Sequence, residues 1–328
     1  MSDLERRYLR LLRAYPTEYR RSRGAEIVST YLDLAGPGRR WPSPADAADL
    51  VRGGLRQRLR AAGVSGLIPG VRLAALLAMV TTSVLAGVWG VAELHPVSAE
   101  RGPAPLGPFI SLGVVAWAAW LLVAVAMAVA PSRVTRLAIA VALLLTLALL
   151  PAAAILDVPR PPLLVLLPQV VLGLLGLALP NRSSMAMRLA PLVSSLLAVA
   201  TTAFLVGRDA VGGYYSHTTA TFLPSVGGLL LAVGALLAMG LAMSRDARGG
   251  WALVVLLTPA GFLAVPALGD AIDPVRGGVS FTALATAAVA VALAGPAVLL
   301  LTILVRTRLA PTAQRHRGQP CPACGARS

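Results

Sequence analysis

The sequence has no lysine, two cysteines and three histidines among its 328 residues. Only 13% of its residues are charged, against about 25% in a soluble domain of ordinary composition, so most of the chain is not built to face water. Cys321 and Cys324 give no disulfide framework. The histidines, His95, His217 and His316, are too few and too scattered for an acid–base constellation. The chain lacks a P-loop, a Gly-x-Ser-x-Gly elbow, a His-Glu-x-x-His pair and paired carboxylates in its apolar stretches. These absences predict a protein that is not an enzyme. The missing lysine means that every basic residue is arginine, which reads as coding bias and carries little functional weight. The N-terminus is charged with no apolar stretch behind it, so no cleaved signal peptide is expected.

What is present is apolar length. The chain is 57% hydrophobic with a mean hydropathy of +0.75. A hydrocarbon core of about 30 Å needs about 20 apolar residues in helical form. Eight such runs are read at 73–92, 108–130, 137–156, 163–179, 189–207, 222–243, 251–268 and 281–305. Pro159, Pro161 and Pro162 end a helix between the third and fourth runs, where a re-entrant hairpin is the competing reading. The expected fold class is all-α: a polytopic transmembrane bundle of about eight spans behind a small N-terminal helical module. The expected domains are 1–62, 63–306 and a basic tail, 307–328.

Orientation follows from arginine placement. Nearly half of the arginines precede residue 61, and Arg72 closes that segment. With the amino end in the cytoplasm, the even loops face inward. They carry Arg133 and Arg136, Arg182 and Arg188, then Arg245 and Arg248. Each outer loop carries one arginine, at Arg101, Arg160, Arg208 and Arg276. The tail, with Arg306, Arg308, Arg315 and Arg317, returns inside. The expected location is the cell membrane, multi-pass, with both termini cytoplasmic and the lipid bilayer as first partner. This topology accounts for the net charge of +15, so no direct nucleic-acid binding is expected. Every outer loop is too short for a folded domain, so an external signal must be read by the bundle itself. No feature of the sequence sets an oligomeric state.

Ionisable residues are absent from the middle of every run, which argues against a proton-coupled pump. Polar and helix-breaking features do interrupt the runs. They are Pro168 and Gln169 in the fourth, Thr258 to Gly261 around Pro259 in the seventh, and Gly295 with Pro296 in the eighth. Broken helices free backbone groups that line substrate sites; ordinary kinks held by neighbouring helices are the plainer reading. The loop holding Tyr214, Tyr215 and His217 is the most polar and aromatic external segment. Gln169, Pro168, Pro259, Tyr214, Tyr215 and His217 are therefore the candidates for a ligand or substrate path. Small residues at Gly173/Gly176 and Ala235/Gly240 would let helices approach closely.

Residues 1–62 differ in kind. Leu4, Tyr8, Leu11, Leu12 and Tyr15 recur at helical spacing. Pro16 restarts the chain into a second helix over 17–34, with Tyr19, Ile27, Val28, Tyr31 and Leu34 as apolar contacts and Gly24 as a weak point. Ser43, Pro44 and Asp46 make a helix start, and the third helix carries Ala47, Leu50, Val51, Leu55 and Leu59. Three short amphipathic helices leave one apolar stripe for a partner or the membrane surface. The stretch 11–20, then Gly24-Ala-Glu26, Pro42 to Asp46 and Asp49 to Arg56, resembles the N-terminal module of actinobacterial membrane proteins related to the helical adaptor family associated with sensory domains. The resemblance covers the first 60 or so residues. It implies a small bundle preceding a membrane or sensory module, often encoded beside PadR-type regulators. It implies no catalytic residue.

The tail ends in Cys321-Pro-Ala-Cys324-Gly, the shape of one zinc-ribbon knuckle. With His316 it offers three ligands, one short of a closed site, so a second copy or a partner would have to complete a zinc site. A redox pair and an inert tail are the alternatives. The sequence thus points to a non-enzymatic sensor or adaptor, coupling membrane state or a small apolar ligand to a cytoplasmic regulator through residues 1–62. The alternative is a permease-like or lipid-handling protein.

Overall fold

The computed structural model describes residues 2–35, 39–61, 64, 66–94, 107–181, 183–206, 214, 217–273 and 280–317. Every regular element among them is helical. The chain divides into two compact units, 1–67 with 300–328, and 68–299.

In the first unit, α1 (Asp3–Leu11) opens on a capping box. Ser2 Oγ accepts from the Glu5 amide at 3.1 Å, and Glu5 Oε2 accepts from the Ser2 amide at 3.2 Å. A 3₁₀ turn (Leu12–Ala14) leads through Pro16 into α2 (Thr17–Leu34). Ser43 starts α3 (Pro44–Ala61): its Oγ accepts from the Asp46 amide at 3.0 Å, and its own amide donates to Asp46 Oδ2 at 3.2 Å. Leu4, Tyr8, Leu12, Tyr15, Val28 and Leu50 form the core. The carboxylates at the start of α3 tie down the other two helices, accepting from the Tyr8 hydroxyl (Asp46, 3.2 Å) and the Tyr31 hydroxyl (Asp49, 2.7 Å). Burial raises both phenol pKa values, and the adjacent carboxylates add to the shift. Hydrogen bonding with Ser43, its side chain first and then its amide, holds the Asp46 carboxyl below its ordinary pKa.

Gly24 does not interrupt its helix. It is buried, with Leu12 Cδ1 3.7 Å from where a Cβ would stand, and α2 runs through it unbroken. Leu34, expected to make apolar contacts, is 75% exposed. In α3, among the described side chains, Leu50 joins the buried core while Val51 and Leu55 are exposed; the Leu59 side chain lies outside the described residues. Packing explains the difference. Gly54 sets α3 against the backbone of Ala14, within 2.7 Å of an added Cβ, and that contact turns Val51 and Leu55 outward.

The second unit holds α4 (Leu67–Glu93), α5 (Gly113–Val129), α6 (Ser132–Leu156), α7 (Leu163–Gly176), α8 (Met185–Val206), α9 (His217–Met243), α10 (Arg248–Leu263) and α11 (Val265–Ile272), with α12 (Phe281–Arg317) beginning there. Five helices, α4, α6, α8, α9 and α12, are long and apolar enough to cross a membrane, and the pair α10–α11 makes a sixth if its 63° bend is one span. α5 and α7 are apolar but shorter. The shortening has local causes. The run from 108 loses its first residues to a turn in which the Ile110 amide donates to Glu93 O (3.2 Å) and the Leu112 amide to Pro159 O (3.1 Å). α7 closes in a tight turn whose amides at Leu177, Ala178 and Leu179 reach only three residues back. None of the marked prolines breaks its helix: Pro168 and Pro259 lie inside α7 and α10, and α12 is continuous past Pro296. The break in the seventh run falls at Ala264, just ahead of Pro266 in the first turn of α11.

α4 is the axis of this unit. Its apolar window is 56% buried, against 17% for α8 and α9 and 6% for α12. Ala74, Ala75, Ala78, Met79, Leu85 and Trp89 pack with Trp117, Trp120, Ile139 and Leu172 in one core. Gly173 and Gly176 face Trp120 and Met79 with no room for a side chain, whereas Gly240 faces open space. Outward lie Leu122, Val129, Leu144, Ile155, Leu197, Leu236, Met243 and Leu293, each at least 63% exposed. Such a continuous apolar exterior is incompatible with water and belongs to an integral membrane protein.

Candidate functional site

At one end of the second unit a cavity of about 740 Å³ opens among the first turns of α4, the α5–α6 and α7–α8 junctions, the end of α9 and the start of α10. Its walls are Leu73, Leu76, Met127, Leu179, Leu237 and Leu241, and it carries Arg72, Arg136, Arg188 and Arg248. Its size falls in the range of small-molecule sites, about 300–1,000 Å³. The arginines are held by breaks in the helices. The Met127 carbonyl would bond the amide four residues on, but that residue is Pro131, which has none. Arg188 Nε donates to Met127 O at 3.0 Å and its Nη2 to Ala130 O at 2.6 Å, closing the end of α5. Arg136 Nη2 donates to Leu179 O at 2.7 Å beyond the end of α7, while its buried Nε has no hydrogen-bond partner. Arg248 pairs with Asp246 at 2.8 Å. No carboxylate lines the cavity among the described residues.

A different cluster lies around the end of α4. Glu93 is fully buried. Its carboxylate accepts from the Ser111 amide (2.8 Å), the Ser111 hydroxyl (2.5 Å) and the Tyr214 hydroxyl (2.5 Å). Trp117 Nε1 donates to the Tyr214 oxygen at 2.6 Å, and the Trp89 and Tyr214 rings lie 5.2 Å apart. Burial and the Glu93 charge raise the Tyr214 pKa strongly, so this phenol serves as a hydrogen-bond donor. The polar groups of Glu93, Ser111, Trp117 and Tyr214 are bonded to one another, while the neighbouring Trp89 Nε1 is buried without a partner; the cluster ties α4, α5 and the segment at 214 together.

Deep in the bundle Gln169 Nε2 donates to Thr82 O at 3.2 Å, while Gln169 Oε1, Thr82 Oγ1 and Ser83 Oγ are buried without partners. Trp120 Nε1 donates to Thr146 Oγ1 at 3.0 Å.

The residues singled out in the sequence are therefore dispersed. Gln169 and Pro168 are buried in α7, Pro259 is buried in α10 and Tyr214 is buried beside Glu93. None of the four lines the cavity. Tyr215, the His217 side chain and the zinc candidates Cys321, Cys324 and the His316 side chain lie outside the described residues. Among the described residues no three His, Cys, Asp or Glu side chains could hold a metal together. Sequence reasoning passed over Glu93, which stands one residue beyond the first run, and assigned the cavity arginines to topology alone. The available signal was that Arg72, Arg136, Arg188 and Arg248 each adjoin the start of an apolar helix. Comparison with family models, curated proteins and solved structures gave no match.

Proposed function

We propose that the protein is a non-enzymatic membrane sensor or adaptor, in which ligand occupancy of the arginine-bearing cavity is relayed to a cytoplasmic regulator through residues 1–62. The cavity carries the reading: its four arginines come from the four segments that the charge bias assigns to the cytoplasmic side. A ligand there touches α4, α6, α9 and α10 together, so its binding energy can bias how these helices pack. Its apolar portion meets the leucine wall. Supporting the modular role are the division of the chain into two compact units, 1–67 with 300–328 and 68–299, and the resemblance of the N-terminal helices to an adaptor module. The chain crosses the cell membrane eight times, with both termini inside. α5 and α7, at about 26 and 21 Å, cross by local thinning of the bilayer.

The test is hydrogen exchange on the full chain in nanodiscs. Filling the cavity with Leu237→Trp, or changing the lipid composition, should alter protection across residues 3–61. Protection that stays the same under both changes refutes the sensor. A second reading, a lipid-handling permease, draws on the unpaired polar atoms of Thr82, Ser83 and Gln169 inside the bundle. Lipid or solute movement in proteoliposomes that is lost on Gln169→Ala, with the fold kept, would favour it.

A further inference from the structure

The four cavity arginines differ from a topological charge bias in one respect: they converge. A cytoplasmic excess of positive charge is satisfied by arginines pointing anywhere into the headgroup region. Here they border a single apolar-walled space, and only Arg248 has a carboxylate partner among the described residues. The helix-end carbonyls use one N–H of Arg136 and two of Arg188, out of five on each guanidinium. These bonds also fix the planes of the two side chains. The Nε of Arg136 is buried and unpaired, a costly state in the absence of an acceptor. Arg72 is exposed and makes no ion pair among the described residues. Ser132 and Asn181 supply further neutral donors around the same space, while the Thr135 hydroxyl is turned to the carbonyls of Ala126 and Pro131.

We infer that this cavity binds an amphiphile with a phosphate headgroup of net negative charge, its phosphoryl oxygens held by Arg72, Arg136, Arg188 and Arg248 and its apolar chain laid along Leu73, Leu76 and Leu241. The guanidinium forks match phosphate or carboxylate oxygens two at a time, and what favours phosphate is that the donors approach from several helices, which suits a tetrahedral anion better than a planar one. The inference rests on the cavity being the ligand site of the proposed sensor, and it names the class of ligand.

Native mass spectrometry of the full chain in detergent tests it, with phosphatidylglycerol and phosphatidylcholine of identical acyl chains as probes. Wild type should retain phosphatidylglycerol at least tenfold more strongly. Arg72→Gln and Arg248→Gln, which remove no helix cap, should each cost about fivefold in that retention. Arg136→Gln should cost more, and a melting curve will show whether its fold is kept. Glycerol phosphate alone distinguishes the source. Binding as strong as the lipid's assigns a soluble phosphate ester, and binding only of the intact lipid assigns the bilayer; either result supports phosphoryl recognition. Equal retention of the two lipids by wild type, or undiminished phosphatidylglycerol binding in the Arg72/Arg248 double variant, overturns it. Phosphatidylglycerol bound without any change in protection over residues 3–61 removes the sensor and leaves the site. A protection change without lipid preference does the reverse.

Discussion

Replacing Tyr214 with phenylalanine removes one oxygen and keeps the ring against Trp89 and Trp117. That oxygen does two jobs: it donates to the buried Glu93 carboxylate at 2.5 Å and accepts from Trp117 Nε1 at 2.6 Å. Losing the first costs about 1.5–3 kcal/mol, as for other hydrogen bonds to a charged group. Losing the second leaves a buried indole N–H without a partner, a further cost of about 1–3 kcal/mol. Because the site can relax, and Glu93 keeps both donors of Ser111, the sum is an upper bound, and roughly 3 kcal/mol is the expected loss. Equilibrium unfolding of the full chain in mixed micelles, followed by tryptophan fluorescence, measures it. A cycle with Glu93→Gln isolates the shared bond: the double variant should lose about 1–3 kcal/mol less than the two single variants added together. A Tyr214→Phe cost below about 0.5 kcal/mol, the level of ordinary surface changes, or strictly additive effects would refute the account of this cluster as a tie between helices.

Two further outcomes are expected. Gly173→Ala should lower stability by about 1–3 kcal/mol through overpacking against Trp120, while Gly240→Ala, which meets open space, should cost nothing; equal effects in the same unfolding assay would contradict the packing described. At alkaline pH the phenols of Tyr8, Tyr15, Tyr31 and Tyr214 are raised above the ordinary 10.0. Above that value the folded chain holds protons that the unfolded chain has lost, so this stability is present below pH 10 and declines as pH rises toward the folded pKa values. Tyrosinate absorbance of the folded protein should therefore lag behind that of the unfolded protein, and superimposed titrations would refute it.

The helices of the membrane unit were legible because hydrophobic length is written directly in the chain: each of the eight apolar runs contains a helix. Their ends were not, since ends are set by tertiary bonds. The bond from Ile110 to Glu93 O delays α5, and no property of residues 108–112 alone foretells it. Proline shows the same limit. Pro259 offered a break or, more plainly, a kink, and it is accommodated inside α10, while Pro266, in the same apolar stretch, stands at the actual bend. In the N-terminal unit, Ser43 and Asp46 were readable as a helix start because capping is local. The outward turn of Val51 and Leu55 depends on Gly54 meeting Ala14, forty residues earlier in the sequence. The candidate site was the least legible. Its residues were all noticed as charges, and their convergence required the fold.

That convergence also explains why arginine is the residue that fits here, whatever biased its use elsewhere in the chain. Pro131 leaves the Met127 carbonyl without an amide partner, and Ala130 O lies at the end of the same helix. A single guanidinium meets both, with Nε and Nη2 of Arg188, and still has donors to offer. Lysine presents its three donors from one rotating point, so it would close a carbonyl or face a ligand without fixing the geometry of either. The helix ends and the cavity are thus built from the same side chains. Weakening the anchors of Arg136 and Arg188 should loosen the site, and an anion bound to them should stiffen the junctions of α5 with α6 and of α7 with α8, because each interaction orders the group on which the other depends.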